Sequence, residues 1–522
     1  MSIDLDPLDQ RLRLDFPLLD SREPRTLTRL RREVERIRLA FDEAAGPPML
    51  WSGIPLPAGV LPARVGKTRS CTAAPTRLAA QRIANDGCLV VSVGGTHTHF
   101  ALLSRAEDGS LYGLDPAALE SGPSRSGIAG SASRGRLSFP TPGSADVRGG
   151  VELIERIAAS VAAGLEPLRV TPEGRRRIVA GCQEIVVSWA FACRILRRGP
   201  EVLGGLTAFS EPMGKAQDGL ENDLEGRDLA VLFRDGFERY LGILGRVTII
   251  GDTTAAIHRF LDRSAPETTR RAAVFILGTG CNFGIAEPYA VRPEGVLCGP
   301  AEEYQPERVT PGRPLRPGET LEPYFVNYEI GRLELEVTRG PYYVPSAWPL
   351  EDNVLAGAEA GWRQVSGVLG GCYGEGLPRR LLAAWRASSG SAGSPTGKVI
   401  SALACGGDAA FVAAFAGGVF APPTPEAVRR VCKTVLARSA LHVALVLAAV
   451  TERLGFGLET EERESDVLIL EGSGWKSPGY REAVRDNWQC LLGDRGLRVE
   501  LVAEPDYNAS FPGAFNLARL HA

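Results

Sequence analysis

Apolar and polar positions follow two rhythms along the chain. Residues 27–45 place apolar side chains every third and fourth position, the period of an amphipathic helix. A Pro- and Gly-rich crossing, GPPMLWSGIPLPAGVLPARVG, leads from it to LVVSVGGTHTHFALLS at 89–104. There two apolar runs flank Gly94-Gly95-Thr96, which predicts two strands joined by a tight turn whose backbone N–H groups suit a phosphate. Residues 120–150 are rich in Ser, Gly and Arg and predict an irregular excursion. A helix is expected at 151–165, a strand at 184–191, a helix over GRDLAVLFRDGFERYLGIL, and a short strand running into a helix over RVTIIGDTTAAIHRFL.

The second half opens with another strand–turn–strand pattern, AAVFILGTGCNFGIAE, in which Gly278-Thr279-Gly280 repeats the logic of the first turn. Helical stretches at 356–387 and 424–454 follow, separated by SSGSAGSPTG. The chain closes with a strand, DVLILEGSG, a helix, a second strand, RVELVAE, and a last turn and helix. Strands alternating with helices, around two similar turn units, predict a duplicated α/β architecture with ligand in a cleft between the halves.

Composition narrows the function classes. At 522 residues the chain exceeds one core and suits two domains. A net charge of −3 gives no reason to expect nucleic acid or an anionic membrane as a partner. Neither a basic start with an apolar h-region nor a run of about 18 apolar residues appears, so a cytoplasmic location is expected. The ten cysteines are scattered without CxxC spacing, which suits reduced, buried thiols and gives no zinc pattern. Lysine is scarce, five in all, which draws notice to Lys215 and Lys476 as retained amines.

Three features carry candidate chemistry. Asp252 in IIGDTTAAI ends a strand and begins a helix, where a carboxylate takes a proton from a substrate hydroxyl or simply caps the helix. Thr279 and Gly280 belong to a turn able to wrap phosphate, with Asn282 two positions on facing the same side if the strand alternates. Gly472-Ser473-Gly474 follows a strand and opens a helix, a place for a nucleotide phosphate or ribose, or ordinary strand–helix punctuation.

Taken in order, these pieces resemble the eukaryotic-type hexokinase family from residue 89 to the C-terminus. LVVSVGGTHTHFALLS is similar to the family's LDLGGTNFRV segment, FPTPGSADVRGGVELIERIAASV to its YPIPxxxxxGTGxELFDxIAxC region, and LEGRDLAVLFRDGF to EGxDVVxLLxDAI. IIGDTTAAI resembles VNDTVGT, FILGTGCNFGIAE resembles IVGTGCNACYME, and FVNYEIGRLE resembles VNMEWGAFG. RQVSGVLGGCYGEGLPRRLL, VCKTVLARSALHVALVLAAVTERLG and LILEGSGWKSPGYREAVRDNW complete the series as the KxxSGxYLGEIVRxxL segment, the connecting helix and the adenosine segment.

The resemblance implies an actin-like ATPase (ribonuclease H-like) duplicated two-domain sugar kinase fold with a central cleft. Residues 66–250 would form the small domain, with the helix near 510–522 returning to it, and 1–65 with 251–509 the large one. It further implies ATP and Mg2+, with Asp252 as base and Asn282, Glu329 and Glu375 bonding sugar hydroxyls alongside Ser188 and Gly251. Thr279 and Gly280 would touch phosphate, together with Gly94, Gly95 and Thr96, and Gly472 and Ser473 would line the adenosine site. The chain departs from the family where charge matters most. Ser92 replaces the phosphate-site aspartate, Gly251 replaces an asparagine, and Ser188-Trp189-Ala190 replaces Ser-Phe-Pro, while Ser138-Phe139-Pro140 lies too early to be that motif. His97 and His99 replace Asn and Arg, ASFPGAF stands for GSGKGAA, and Lys215 is the nearest counterpart of a Trp-Thr-Lys lysine. Three readings follow. One is an ATP-dependent kinase of a hexose or sugar-like polyol, a monomer or homodimer; another is a sugar-binding sensor or pseudokinase. A different phosphoryl transfer from a non-ATP donor is the third.

Overall fold

The computed structural model describes residues 24–43, 54–55, 87–95, 97–105, 111–113, 136–191, 194–198, 202–206, 220–224, 226–258, 269–278, 281–291, 307–308, 320–328, 330, 425–459, 465–503 and 510–520. The helix expected at 356–387, its SSGSAGSPTG boundary and the Pro/Gly-rich crossing after residue 45 lie outside these, apart from Ile54–Pro55. So do Thr96, Lys215, Thr279, Gly280, Glu329 and Glu375. In chain order the described strands begin with β1 (Ile54–Pro55), β2 (Gly87–Val93), β3 (His97–Arg105), β4 (Leu111–Gly113), β5 (Leu137–Pro140) and β6 (Glu184–Trp189). They continue with β7 (Arg194–Arg198), β8 (Val202–Leu206), β9 (Arg246–Gly251), β10 (Thr269–Leu277) and β11 (Cys281–Val291). The last are β12 (Glu307–Arg308), β13 (Thr320–Asn327), β14 (Ser465–Glu471) and β15 (Val499–Ala503). The helices are α1 (Pro24–Glu43), α2 (Gly150–Arg169), α3 (Pro172–Gly181), α4 (Leu229–Leu241), α5 (Asp252–Ile257), α6 (Pro425–Leu454), α7 (Tyr480–Leu492) and α8 (Ser510–Leu520).

Contacts group the chain into two compact units, one of 1–49, 275–283 and 328–503, the other of 50–274, 284–327 and 504–522. Asp252 therefore shares a unit with the first glycine turn, whereas the sequence-based boundary falls between residues 250 and 251.

In the second of these units β4, β3, β2, β6 and β9 form a sheet in that order, with β5 paired to β3. The β2–β3 hairpin is antiparallel, and β6 and β9 follow β2 in parallel. Both faces are covered, which is why LVVSV reads as an almost continuous apolar run. Leu89, Val91, Val93, Ile185, Val187, Trp189, Val247 and Ile249 pack in one core with residues of α2 and α4. Cys88, Val90, Ala101, Leu103, Val186 and Ile250 pack with Phe511, Ala514 and Phe515 of α8. The residues expected to be an irregular excursion contain a strand, since Leu137–Pro140 pairs with His97–Phe100 and is held there by the β3 edge. Ser138-Phe139-Pro140 is that strand.

Neighbouring helices show why these segments fold as they do. Thr171 accepts from Gly174 N at 3.0 Å and Pro172 opens α3, a helix the sequence pattern does not flag. Asp228 caps α4 by accepting from Ala230 N at 2.9 Å, and Gly242 ends it with φ 69°. Helix α2 begins at Gly150 after Gly149, which has no capping side chain; Asp223, from a distant segment, accepts from Gly150 N at 2.6 Å and Val151 N at 3.1 Å.

The other unit contains β14 and β15, which run parallel, together with α1, α6, α7 and residues 275–283. In the second unit β1, β13 and β11 pair antiparallel in that order with β12 on β11, whereas the parallel pair β14–β15 belongs to the first unit. Its buried aromatic column comprises Phe283 with Phe275 and Tyr328, and Phe275 with Trp475 at 5.6 Å and 89°. Gly472-Ser473-Gly474 opens only a 3₁₀ turn, Ser473–Lys476; α7 starts at Tyr480, after Pro478 and the left-handed Gly479 (φ 73°). Proline lacks the N–H a continuing helix needs, so the expected helix start is displaced by several residues. Among the described residues no helix is long and apolar enough to cross a membrane.

Because α2 relies on a single remote carboxylate, Asp223→Ala should lower unfolding stability by about 0.5–2 kcal/mol, read from urea denaturation. Asp223→Asn, which keeps an acceptor, should recover most of the loss.

Candidate active site

Three parallel strands end in line. Val93 of β2 is the partner of Trp189 of β6, and Trp189 is the partner of Gly251 of β9. The next residue on each strand is therefore Gly94 of the turn, Ala190, and Asp252. Ala190 N donates to Val93 O at 3.1 Å, extending the ladder to the base of the turn. In open α/β sheets ligands bind beyond the carboxyl ends of the parallel strands, and Asp252 and the glycine turn occupy that edge together.

The turn is tightly built. Gly94 N donates to His97 O at 3.1 Å, and Gly94 O accepts from Thr141 Oγ1 at 2.7 Å. Thr141 is itself 3.0 Å from Thr98 Oγ1, and both threonines are buried. A Cβ on residue 94 would stand 2.9 Å from His97 O, so glycine is needed for the close approach. The Gly94 N–H is therefore taken up by the hairpin itself. Gly95 is buried.

Asp252 is half-buried at the first position of α5, and its Oδ1 accepts from Thr253 N at 2.7 Å. The rest of α5 is buried, and α8 fixes it: Asn516 Nδ2 donates to His258 O at 3.1 Å, while His258 Nδ1 lies 2.7 Å from Thr254 O. The N-cap position is Gly251 and carries no side-chain cap, so Asp252 is the first helical residue rather than the cap, and its carboxylate is oriented by the Thr253 N–H.

Ser92, His99 and Ser188 form one row, since Ser92 is the Cα partner of both others. Ser188 is 1% exposed. The Ser188 Oγ and His99 Nδ1 atoms are buried without a hydrogen-bond partner among the described residues. Burial, then the charges of Arg136 and His97, lowers the His99 pKa from 6.5 to about 4. The replacement of the family's aromatic residue by Trp189 has a packing role: its ring is 4.9 Å from Phe191 and 5.7 Å from Phe233.

In the other unit lie further residues that the sequence singles out. Asn282 is half-buried on β11, and its Oδ1 accepts from Phe283 N at 2.9 Å. Tyr328 N donates to Phe283 O at 2.8 Å, so the chain reaches residue 329 from a buried, hydrogen-bonded neighbour. Gly472 has φ 98° and ψ 159°, a conformation open essentially to glycine alone, and a Cβ there would collide with Leu277 O. Trp475 Nε1 donates to Phe275 O at 3.0 Å. The Gly472 segment is thereby held against the strand that enters the Gly278 turn.

No group of three or more His, Cys, Asp or Glu side chains able to hold a metal occurs among the described residues. The donor set beside the first turn is neutral, hydroxyl and imidazole, and does not fit a cation held by the protein at that point. Cys88, Cys182, Cys281 and Cys490 are free thiols, and burial pushes the Cys182 thiol up to about 12.

Two outcomes follow. Gly472→Ala should destabilise by about 2 kcal/mol or more in a denaturant titration, whereas Gly479→Ala, also at positive φ but facing open space, should cost only about 1–2 kcal/mol. For His99, the unfolded chain takes up a proton near pH 6.5 and the folded one only near 4. The unfolded state binds more protons in that window, so stability falls as pH drops from 6.5 to 4. Thermal melts of His99→Gln should show a shallower decline over that range than the parent.

No family model and no curated protein sequence matches the chain. Solved structures do. A hexokinase from Schistosoma mansoni complexed with glucose matches with a TM-score of 0.58 at 13% identity, over 99% of this chain and 100% of that one. A second hexokinase structure matches with a TM-score of 0.53 at 16% identity, again over 99% and 100%. The chain thus has the mixed α/β, actin-like fold of the sugar kinases.

Proposed function

We propose that the protein is an ATP-dependent kinase that transfers the terminal phosphoryl group to a hydroxyl of a hexose or sugar-like polyol. The observation that supports it best is the alignment of Val93, Trp189 and Gly251, which sets the glycine turn and Asp252 at one edge of one sheet. In this reading Asp252 takes the hydroxyl proton as the substrate oxygen bonds to the γ-phosphorus. The bond to the bridging oxygen then breaks and ADP leaves.

Ser188, Gly251, Asn282, Glu329 and Glu375 position the sugar. Carboxylates bond neutral hydroxyls more strongly than neutral acceptors do, about 1.5–3 kcal/mol each. Gly94, Gly95, Thr96, Thr279 and Gly280 hold phosphates, Gly472 and Ser473 the adenosine, and Lys215 supplies an ammonium near the transferring group. Mg2+ carried in on the ATP phosphates supplies charge neutralisation. Ser92 specifically favours a second reading, a sugar-binding sensor with impaired catalysis, because it brings no charge to the phosphate site.

ADP release from Mg-ATP should be measured across hexoses, amino sugars and cyclitols. The kinase reading expects turnover with one of them and a loss of about 10²–10⁴-fold in Asp252→Asn. Absence of turnover across the panel, with sugar binding retained in a thermal-shift assay, would select the sensor.

A further inference from the structure

The row Ser92–His99–Ser188 has a property that its packing role does not require. Val90, Ala101 and Val186, two residues away on the same strands and the same face, are buried in the apolar core under α8. The row breaks that face with three polar side chains on adjacent strands. Two of their atoms, His99 Nδ1 and Ser188 Oγ, are buried and unbonded among the described residues. Each such group costs about 1–3 kcal/mol unless a ligand or water meets it. A purely structural sheet has apolar residues available for these positions.

The charges that act on His99 are positive, and the carboxylate at this edge, Asp252, stands beyond the end of β9. His97, on β3 itself, is stacked against His99 with centroids 6.1 Å apart at 16°. Arg136, at the start of the β5 segment, acts on His99 electrostatically while its guanidinium lies 5.4 Å from the Phe511 ring of α8. From β2 and β6 the facing groups are the hydroxyls of Ser92 and Ser188. The row therefore combines hydrogen-bond donors with positive potential, two residues before the glycine turn.

We propose that this row is a phosphate-oxygen subsite in which His99 and Ser188 donate to a terminal phosphate, so that a protonated imidazole stands in for a metal held by a carboxylate. The proposal rests on the kinase reading only for the phosphate carrier, a nucleotide. Without ligand, burial and its cationic neighbours keep His99 neutral at pH 7. An arriving oxyanion reverses the balance and favours the charged ring, so binding takes up a proton and tightens as pH falls.

Calorimetry with ADP and with inorganic pyrophosphate tests this, each in EDTA and in Mg2+, between pH 8 and 6, in two buffers of different ionisation enthalpy. The expected result is metal-independent binding with proton uptake, at least fivefold tighter at pH 6 than at pH 8. His99→Gln should weaken it about tenfold and make it pH-independent, and Ser188→Ala should weaken it less. Ser92→Asp, which puts a carboxylate beside the ring, should weaken binding in EDTA and restore dependence on Mg2+. Tight ADP binding with no pyrophosphate binding would overturn the assignment, as would a Kd within twofold of the parent in a folded His99→Gln. Strict dependence on Mg2+ in the parent would overturn it too. None of these readouts requires a sugar, so failure of turnover leaves them intact.

Discussion

The pairing of Val93 with Trp189, and of Trp189 with Gly251, is the constraint on which the arrangement depends. Strand side chains alternate, so a slip of one residue would turn Ser92 and Ser188 towards α2 and α4 and bring Val93 and Trp189 under α8. What prevents the slip is volume. Trp189 fills a space beside Phe191 and Phe233, whereas the opposite face is already filled by Phe511, Ala514 and Phe515 of α8. Trp189, which in the sequence reads as a departure within the sugar-side loop, is in the structure the anchor of the register.

Much of the fold was legible because period and turn chemistry agree. LVVSVGGTHTHFALLS folds as the expected hairpin, and RVTIIGDTTAAI as a strand entering a helix, because apolar runs bounded by glycine or by a helix-starting aspartate leave few alternatives. The elements that escaped depend on tertiary partners. Leu137–Pro140 has ordinary loop composition and becomes a strand because the β3 edge accepts it. Arg194–Arg198 and Val202–Leu206 form a ribbon whose short runs, RILRR and VLGGL, carry no clear alternation. The capping of α2 by Asp223 spans some seventy positions, a distance over which local pattern carries no information.

The site was legible in type and less so in environment. Asp252 stands out from its neighbours in sequence, whereas the burial of Ser188 and the altered proton affinity of His99 arise only when β3, β2 and β6 are side by side. Loss of a carboxylate at position 92 and gain of a histidine at 99 look independent along the chain. Across the hairpin they are Cα partners, and burial together with the charges of Arg136 and His97 is what leaves the imidazole neutral.

The helix α8 covers one face of this sheet and bonds to His258 from Asn516, 258 positions later. It is also the last described element to be synthesised. At about 5–20 residues per second, roughly 10–50 s separate the emergence of α5 from that of α8. During that interval Cys88, Val90, Val186 and Ile250 have no partner from α8, and the hairpin presents an apolar surface that its own later residues must cover. The nascent chain therefore cannot complete the face bearing its own candidate base until residues 511–516 have emerged, which makes assembly of that face a late, long-range event.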